Sequence, residues 1–251
     1  DVALSSLGFL ADRAGRGVAT DGFLIYYQPE HLMSMYKRGR VLINRAFLHM
    51  VFHCLLGHMD TRGKRAVPYW NLACDIAIES IIDEFYVKNV YRHQSVYRRE
   101  VYAKLKEKLR VLTAEGIYKL LQDMDLTEEE YERMAAEFYV DNHDHWEREE
   151  DPRIRQERQN KWQNNREKMQ TEMESFGEKD AEDSRSLLEA VRVENRERYD
   201  YKQFLRRFSV LREENEVDQD SFDYVFYTYG MELYGNMPLI EPLESKEVHR
   251  I

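Results

Sequence analysis

The chain has 251 residues, enough to bury a core in one large or two small domains, and its net charge of −10 argues against nucleic-acid partners because no excess of cations can neutralise phosphates. Hydrophobic residues make up 43% and charged residues 33%, and glycine and proline are scarce, which favours a mainly α (α+β) protein. With two cysteines, no long apolar stretch and no signal peptide, we expect a reducing compartment and no membrane partner.

The first elements are predicted from turn and β-forming residues. Residues 4–14 have the spacing of a short amphipathic helix, and residues 20–22 (Thr-Asp-Gly) are typical of a turn. Residues 23–27 are rich in β-formers and predict a strand, as part of a small β-hairpin or as an edge strand. Pro29 ends that strand and opens a helix over 30–37.

Two apolar helices follow. Residues 40–57 are apolar nearly all round, so this helix should be buried, and Gly57 suits its C-terminal end. Pro68 opens a second apolar helix over roughly 69–86.

The remainder is more polar. Thr113 can cap a helix that runs to residue 122, and Thr127 with Glu130 forms a capping box for a helix to about residue 138. Residues 141–146 read as a polar surface loop with one large aromatic anchor. Residues 147–200 interleave both charge signs at helical spacing, which predicts one or two long solvent-exposed helices or a partly mobile insertion.

These patterns suggest three parts. Residues 1–98 form a core, 99–200 a charged helical insertion, and 201–251 an aromatic C-terminal segment that packs on the core.

The most informative pattern lies within the first apolar helix. His49 and His53 are four residues apart, so their side chains share a helix face and can both reach one zinc ion at about 2.1 Å. The zinc-peptidase motif HExxH has this spacing, with the glutamate after the first histidine as general base. Met50 stands at that position, and a thioether cannot accept a proton. We therefore assign no catalytic residue and expect peptidase activity to be absent or weak.

The next helix offers a third ligand. Asp75 follows His53 at a separation similar to that in zinc peptidases of the thermolysin kind, which take a carboxylate from the following helix. The sequence thus predicts a zinc site of His49, His53 and Asp75. The alternative is a buried network in which Asp75 and backbone groups bind two core histidines without metal.

Other polar residues nearby allow further roles. His58 could be a ligand but more simply caps the helix end, and Glu79 could be an alternative ligand or a partner of one. Asp83 suits a solvated or salt-bridged position, and Cys54 points into the core. The remaining candidates share the loop after residue 140, which could cover a site or donate a ligand; they are Asp141, His143, Asp144, His145 and Trp146.

Five separated stretches resemble one bacterial family. Residues 47–58, 69–79, 20–29, 141–146 and 227–240 resemble the putative metallopeptidase domain that precedes a von Willebrand factor A-like domain. The resemblance implies a zincin-like helical core, zinc held by His49, His53 and Asp75, and a cytoplasmic protein. It implies a longer protein whose von Willebrand A-like domain begins after Ile251, and a MoxR-type AAA+ ATPase as partner.

Three hypotheses follow. The domain binds metal with impaired catalysis and serves as a recognition or structural module, or it is a working hydrolase with a substitute base. Candidates for that base are Glu79, Asp144 and the acidic run 147–151. Alternatively, it is a metal-free scaffold in an assembly with the ATPase and the von Willebrand A-like domain.

Overall fold

The chain divides into two compact units, Asp1–Glu197 and Arg198–Ile251. A computed structural model describes residues 3–147, 151–175, 185–197, 211–222 and 242–250, together with Met231. The first unit contains the candidate site. It is mainly helical with one small sheet, so the predicted α+β class is confirmed.

The sheet of the first unit has three short strands. β1 is Gly8–Ala11, β2 is Val18–Thr20 and β3 is Leu24–Tyr27, in the order β1-β3-β2. β3 pairs parallel with β1 and antiparallel with β2, so the predicted hairpin is confirmed as β2–β3. The predicted strand is the central one, and β2 lies at the sheet edge.

The predicted helix over residues 4–14 is wrong, because this stretch contains β1. The Gly8 amide donates to the Phe23 carbonyl, and the Asp12 amide donates to that of Tyr27, both at 2.9 Å. The Asp12 carboxylate also accepts from the amides of Ala14 and Gly15, a local turn that competes with helix. Pairing with a distant strand therefore overrides the local pattern.

Nine α-helices lie in the described ranges. They are α1 Pro29–Arg38, α2 Arg40–Leu55, α3 His58–Thr61, α4 Val67–Ile82, α5 Val96–Lys106, α6 Ala114–Asp123, α7 Glu128–Phe138, α8 Pro152–Ser175 and α9 Arg185–Glu197. The predictions for α1, α2, α4, α6 and α7 are confirmed, including the Thr113 cap and the Thr127 capping box. Gly57 adopts a left-handed conformation (φ 69°) just after α2, as a C-terminal glycine does. α5 was not predicted.

Two hydrophobic clusters meet at α4. Ile78 and Ile82 of α4 belong to the cluster around α2, while Trp70 and Cys74 belong to a second cluster formed with α5, α6 and α7. Because α4 is packed on both sides, its position relative to α2 is firmly held.

The charged stretch forms two helices as predicted, and the prediction that they are solvent-exposed holds for one face of each helix but not for the other. Trp162 of α8 is 3% exposed and packs in the α2 cluster, together with Leu187 and Val191 of α9. Arg166 is buried and pairs with Glu194 across the two helices at 3.1 Å. Each of these highly charged helices therefore has one buried stripe of residues.

The second unit contains two antiparallel strands, β4 (Leu211–Phe222) and β5 (Pro242–Arg250). Most of the aromatic segment between them lies outside the described residues, so its packing on the core stays a prediction, as does the three-part division. None of the helices in the described ranges combines the length and apolar character needed to cross a membrane.

Candidate functional site

Helix α2 places His49 and His53 on one buried face. Both side chains are 0% exposed, and their Nε2 atoms lie 2.8 Å apart. The spacing of four residues produces this closeness, as predicted from one helical turn.

Helix α4 brings Asp75 to the same point. Its Oδ1 atom lies 3.4 Å from His49 Nε2 and 3.3 Å from His53 Nε2. All three residues predicted for the metal site are therefore brought together.

Two further residues join them from the segment 141–146, which follows α7. Asp141 Oδ1 lies 3.3 Å from His49 Nε2 and 3.6 Å from His53 Nε2, and His143 Nε2 lies 3.1 Å from Asp141 Oδ1. Asp141 is 2% and His143 8% exposed, so the prediction of a polar surface loop is wrong at these positions. The sequence also allowed this loop to cover a site or donate a ligand, and the structure brings Asp141 and His143 to the helix histidines.

More polar atoms converge on the histidine nitrogens than those nitrogens can hydrogen-bond. An imidazole nitrogen has one hydrogen or one lone pair, yet His49 Nε2 has three polar neighbours within 3.4 Å: His53 Nε2, Asp75 Oδ1 and Asp141 Oδ1. Two donors bound at about 2.1 Å to one ion would lie about 3.0–3.4 Å apart, close to these separations. The atoms of His49, His53, Asp75 and Asp141 all lie within 4.8 Å of one another, so the residues fit a cation.

A second feature of Asp141 supports this fit. Its Oδ2 atom is buried and has no hydrogen-bond partner among the described residues. A buried carboxylate oxygen left without a donor is costly, and a bound cation would compensate it.

Partners behind the histidines orient the two rings. His49 Nδ1 lies 3.0 Å from Glu79 Oε1, and His53 Nδ1 lies 3.1 Å from His58 Nδ1. If each Nδ1 donates its hydrogen outward, each Nε2 presents a lone pair inward. Glu79 and His58 are thus partners of the site histidines, and His58 does not join the converging donors.

Glu79 belongs to a buried ionic network. Its Oε2 atom accepts from Arg45 (2.7 Å) and Arg98 (2.6 Å). The same arginines bind Asp83 at 2.6 and 3.0 Å, and the Tyr102 hydroxyl donates to Asp83 at 2.8 Å. The two arginines compensate both buried carboxylates, and Arg98 also pairs with Glu137 at 3.0 Å, so the network fixes the carboxylate that orients His49. The predicted salt bridge of Asp83 is confirmed.

The electrostatics favour charged carboxylates facing histidines. Burial alone would raise the pKa of Asp75, but His143, His49 and His53 lower it well below 3.8. Burial also opposes the charged form of His143, yet Asp75 and Asp141 raise its pKa to about 10. By contrast, burial lowers the pKa of His53 to about 4, which keeps it neutral. Two buried negative charges therefore require compensation, by protons or by a divalent cation.

The donor atoms are covered. The Trp146 ring stacks on His143 (centroids 3.8 Å apart) and meets His53 edge-on at 4.7 Å. A cavity of about 530 Å³ is lined by Asn142, Asp144 and His145, among others, but by none of the five donor residues.

The edge of β2 is occupied as well. The Asn142 amide donates to the Val18 carbonyl at 2.8 Å, and Asn142 forms a parallel bridge with Ala19. An extended peptide can pair with an exposed sheet edge, but here the protein's own chain takes this place beside the site.

The proposed substitute bases are poorly placed. Met50, which stands at the position of the motif glutamate, is 2% exposed and belongs to the hydrophobic cluster around α2. Glu79 is bound by two arginines, and Asp144 is exposed and accepts from the Asn142 amide group at 2.8 Å. Residues 148–150 of the acidic run lie outside the described residues. Cys54 is buried in the core, as predicted.

Comparisons with known proteins identify a family. A family model described as a putative metallopeptidase domain matches residues 2–222. No curated protein and no solved structure matches the chain.

Proposed function

We propose that this chain, which belongs to the family of putative metallopeptidase domains, is a metal-binding module with impaired peptidase chemistry that serves a recognition or structural role. The observation that carries the proposal is the convergence of four buried donor atoms from His49, His53, Asp75 and Asp141. We propose zinc as the metal because imidazole and carboxylate are ligands that zinc commonly takes.

The donor set supports a structural role. Structural zinc sites have four protein ligands, whereas catalytic sites keep one position open for water or substrate. When bound, the ion would supply positive charge that compensates Asp75 and Asp141 and would join α2, α4 and the segment 141–146. Glu79 and His58 hold the rings of His49 and His53 in place, and the Trp146 ring packs against His53.

Two more observations argue against peptide hydrolysis. Met50 cannot act as a base, and Asn142 occupies the strand edge where an extended substrate would pair. A substitute base would need a carboxylate free to approach the donors, and Glu79 is bound on both oxygens.

Substitution of Met50 tests the catalytic part of the proposal. We expect no zinc-dependent peptide cleavage by the wild type, and no gain in Met50→Glu, because a base alone does not open a position on a fully coordinated ion. A positioned base contributes about 10²–10⁴-fold, so a gain at an open site would be readily detected with fluorogenic peptides. Met33→Glu, at a methionine that is 55% exposed, controls for the added charge.

The outcomes separate the hypotheses. Cleavage by Met50→Glu alone, in a variant that folds by circular dichroism, would contradict the closed site. Cleavage by the wild type that is lost on chelation would favour a working hydrolase with a substitute base.

The partner expectations form a further part of the proposal. Resemblance of the motif stretches supports a cytoplasmic protein whose longer form carries a von Willebrand A-like domain and binds a MoxR-type AAA+ ATPase. Size-exclusion chromatography with a purified ATPase of this class tests the pairing, and separate elution would contradict it. In a metal-free scaffold this pairing would persist without any metal uptake.

A further inference from the structure

The segment 141–146 turns different side chains to different neighbours. Asp141 and His143 face the donors on α2 and α4, while Asn142 binds the edge of β2. The Asn142 side chain accepts from the Asp144 amide at 2.7 Å, which holds the turn between them. The segment is therefore attached to the sheet by backbone bonds and to the helices through the site.

His143 lies as close to the two carboxylates as the helix histidines do, and binding the same ion would require its ring to move toward them. Its Nε2 lies 3.3 Å from Asp75 Oδ1 and 3.1 Å from Asp141 Oδ1. The Nε2 atoms of His49 and His53 lie 3.3 to 3.6 Å from the same two oxygens. Three imidazole nitrogens thus lie within 3.6 Å of one pair of oxygens, and His143 borders the four residues whose donor atoms all lie within 4.8 Å of one another.

Building on the proposed metal site, we propose that His143 is a fifth protein ligand and that the metal thereby latches the segment 141–146 onto α2 and α4. Three neutral imidazoles and two carboxylates around a divalent cation form a set with no net charge, which is the arrangement that burial favours. Asn142 lies between Asp141 and His143, the two ligands of the segment. Metal binding by these two residues would therefore also hold Asn142 against the edge of β2.

Cobalt substitution tests the fifth ligand. Co²⁺ can replace zinc, and four-coordinate Co²⁺ absorbs visible light more strongly than five-coordinate Co²⁺. In His143→Ala we expect stronger visible absorption, unchanged stoichiometry and an affinity lower by at least about 100-fold, since even partners of ligands cost about 10–100-fold when lost. Added imidazole should restore the wild-type spectrum.

His145→Ala is the matched control. His145 lies in the same segment, but its ring stacks on Tyr26 at 4.1 Å and is not among the converging donors. This variant should bind Co²⁺ as the wild type does.

A wild-type measurement covers the case in which His143→Ala fails to fold. The Asn142 amide should exchange hydrogen more slowly when metal is bound, because the latch holds its bond to Val18. Equal exchange with and without metal would overturn the latch.

The failures are distinguishable. If the wild type binds neither Co²⁺ nor Zn²⁺, the proposed function fails. If it binds one ion and His143→Ala shows the same affinity and spectrum, only the fifth ligand fails.

Discussion

Removing the metal with a chelator is expected to lower the free energy of unfolding by about 4 kcal/mol relative to protein held in free zinc at about 1,000 times its dissociation constant. The reason is mass action: the donors come from α2, α4 and the segment 141–146, so the unfolded chain does not present the site. Urea unfolding with zinc and with chelator measures the difference as a shift of the midpoint.

A double variant controls this experiment. His49→Ala/His53→Ala lacks two converging nitrogens, so its midpoint should respond to neither zinc nor chelator. An equal midpoint for the wild type under both conditions would support the metal-free network in which Asp75 binds the histidines directly.

Loss of one buried arginine should have an effect of similar size. Arg98→Met is expected to lower the free energy of unfolding by about 3–5 kcal/mol, because it leaves buried carboxylates short of one positive charge. Arg98 lies 2.6 Å from Glu79, 3.0 Å from Asp83 and 3.0 Å from Glu137, and its side chain is 6% exposed. Chemical unfolding in the presence of chelator measures the effect of losing the Arg98 charge without a contribution from metal binding.

Arg40→Met is the matched control on α2. Arg40 is exposed, and among the described residues its side chain donates one hydrogen bond, to the Tyr36 hydroxyl. This change should therefore alter the free energy of unfolding by no more than about 0.5 kcal/mol. If Arg98→Met were no more destabilising than Arg40→Met, the network would not be a significant source of stability.

Three of the five residues of the candidate site could be predicted because their positions depend on local geometry. His49 and His53 share a face through helical spacing, and Asp75 lies on the next apolar helix, which packs on the same core. Asp141 and His143 depend on where the chain returns after α7, and no local pattern specifies that path. Their polar side chains suggested a surface loop, yet burial here is compensated by the neighbouring donors.

The fold shows the same division. Caps at Thr113 and Thr127 are read directly from the sequence because the bonds are local. β1 was missed because its pairing with β3 is long-range, and its residues are all exposed, so no alternation of burial marks it. The burial of Arg166 was missed because its partner Glu194 lies on another helix.

The metal content of the purified chain tests the central claim most directly. Elemental mass spectrometry of protein prepared without chelator, beside His49→Ala/His53→Ala, should find about one zinc ion per wild-type chain and none in the variant. A wild-type chain that contains no metal, and takes up none when zinc is added, would contradict the account and leave the converging residues as a buried polar network.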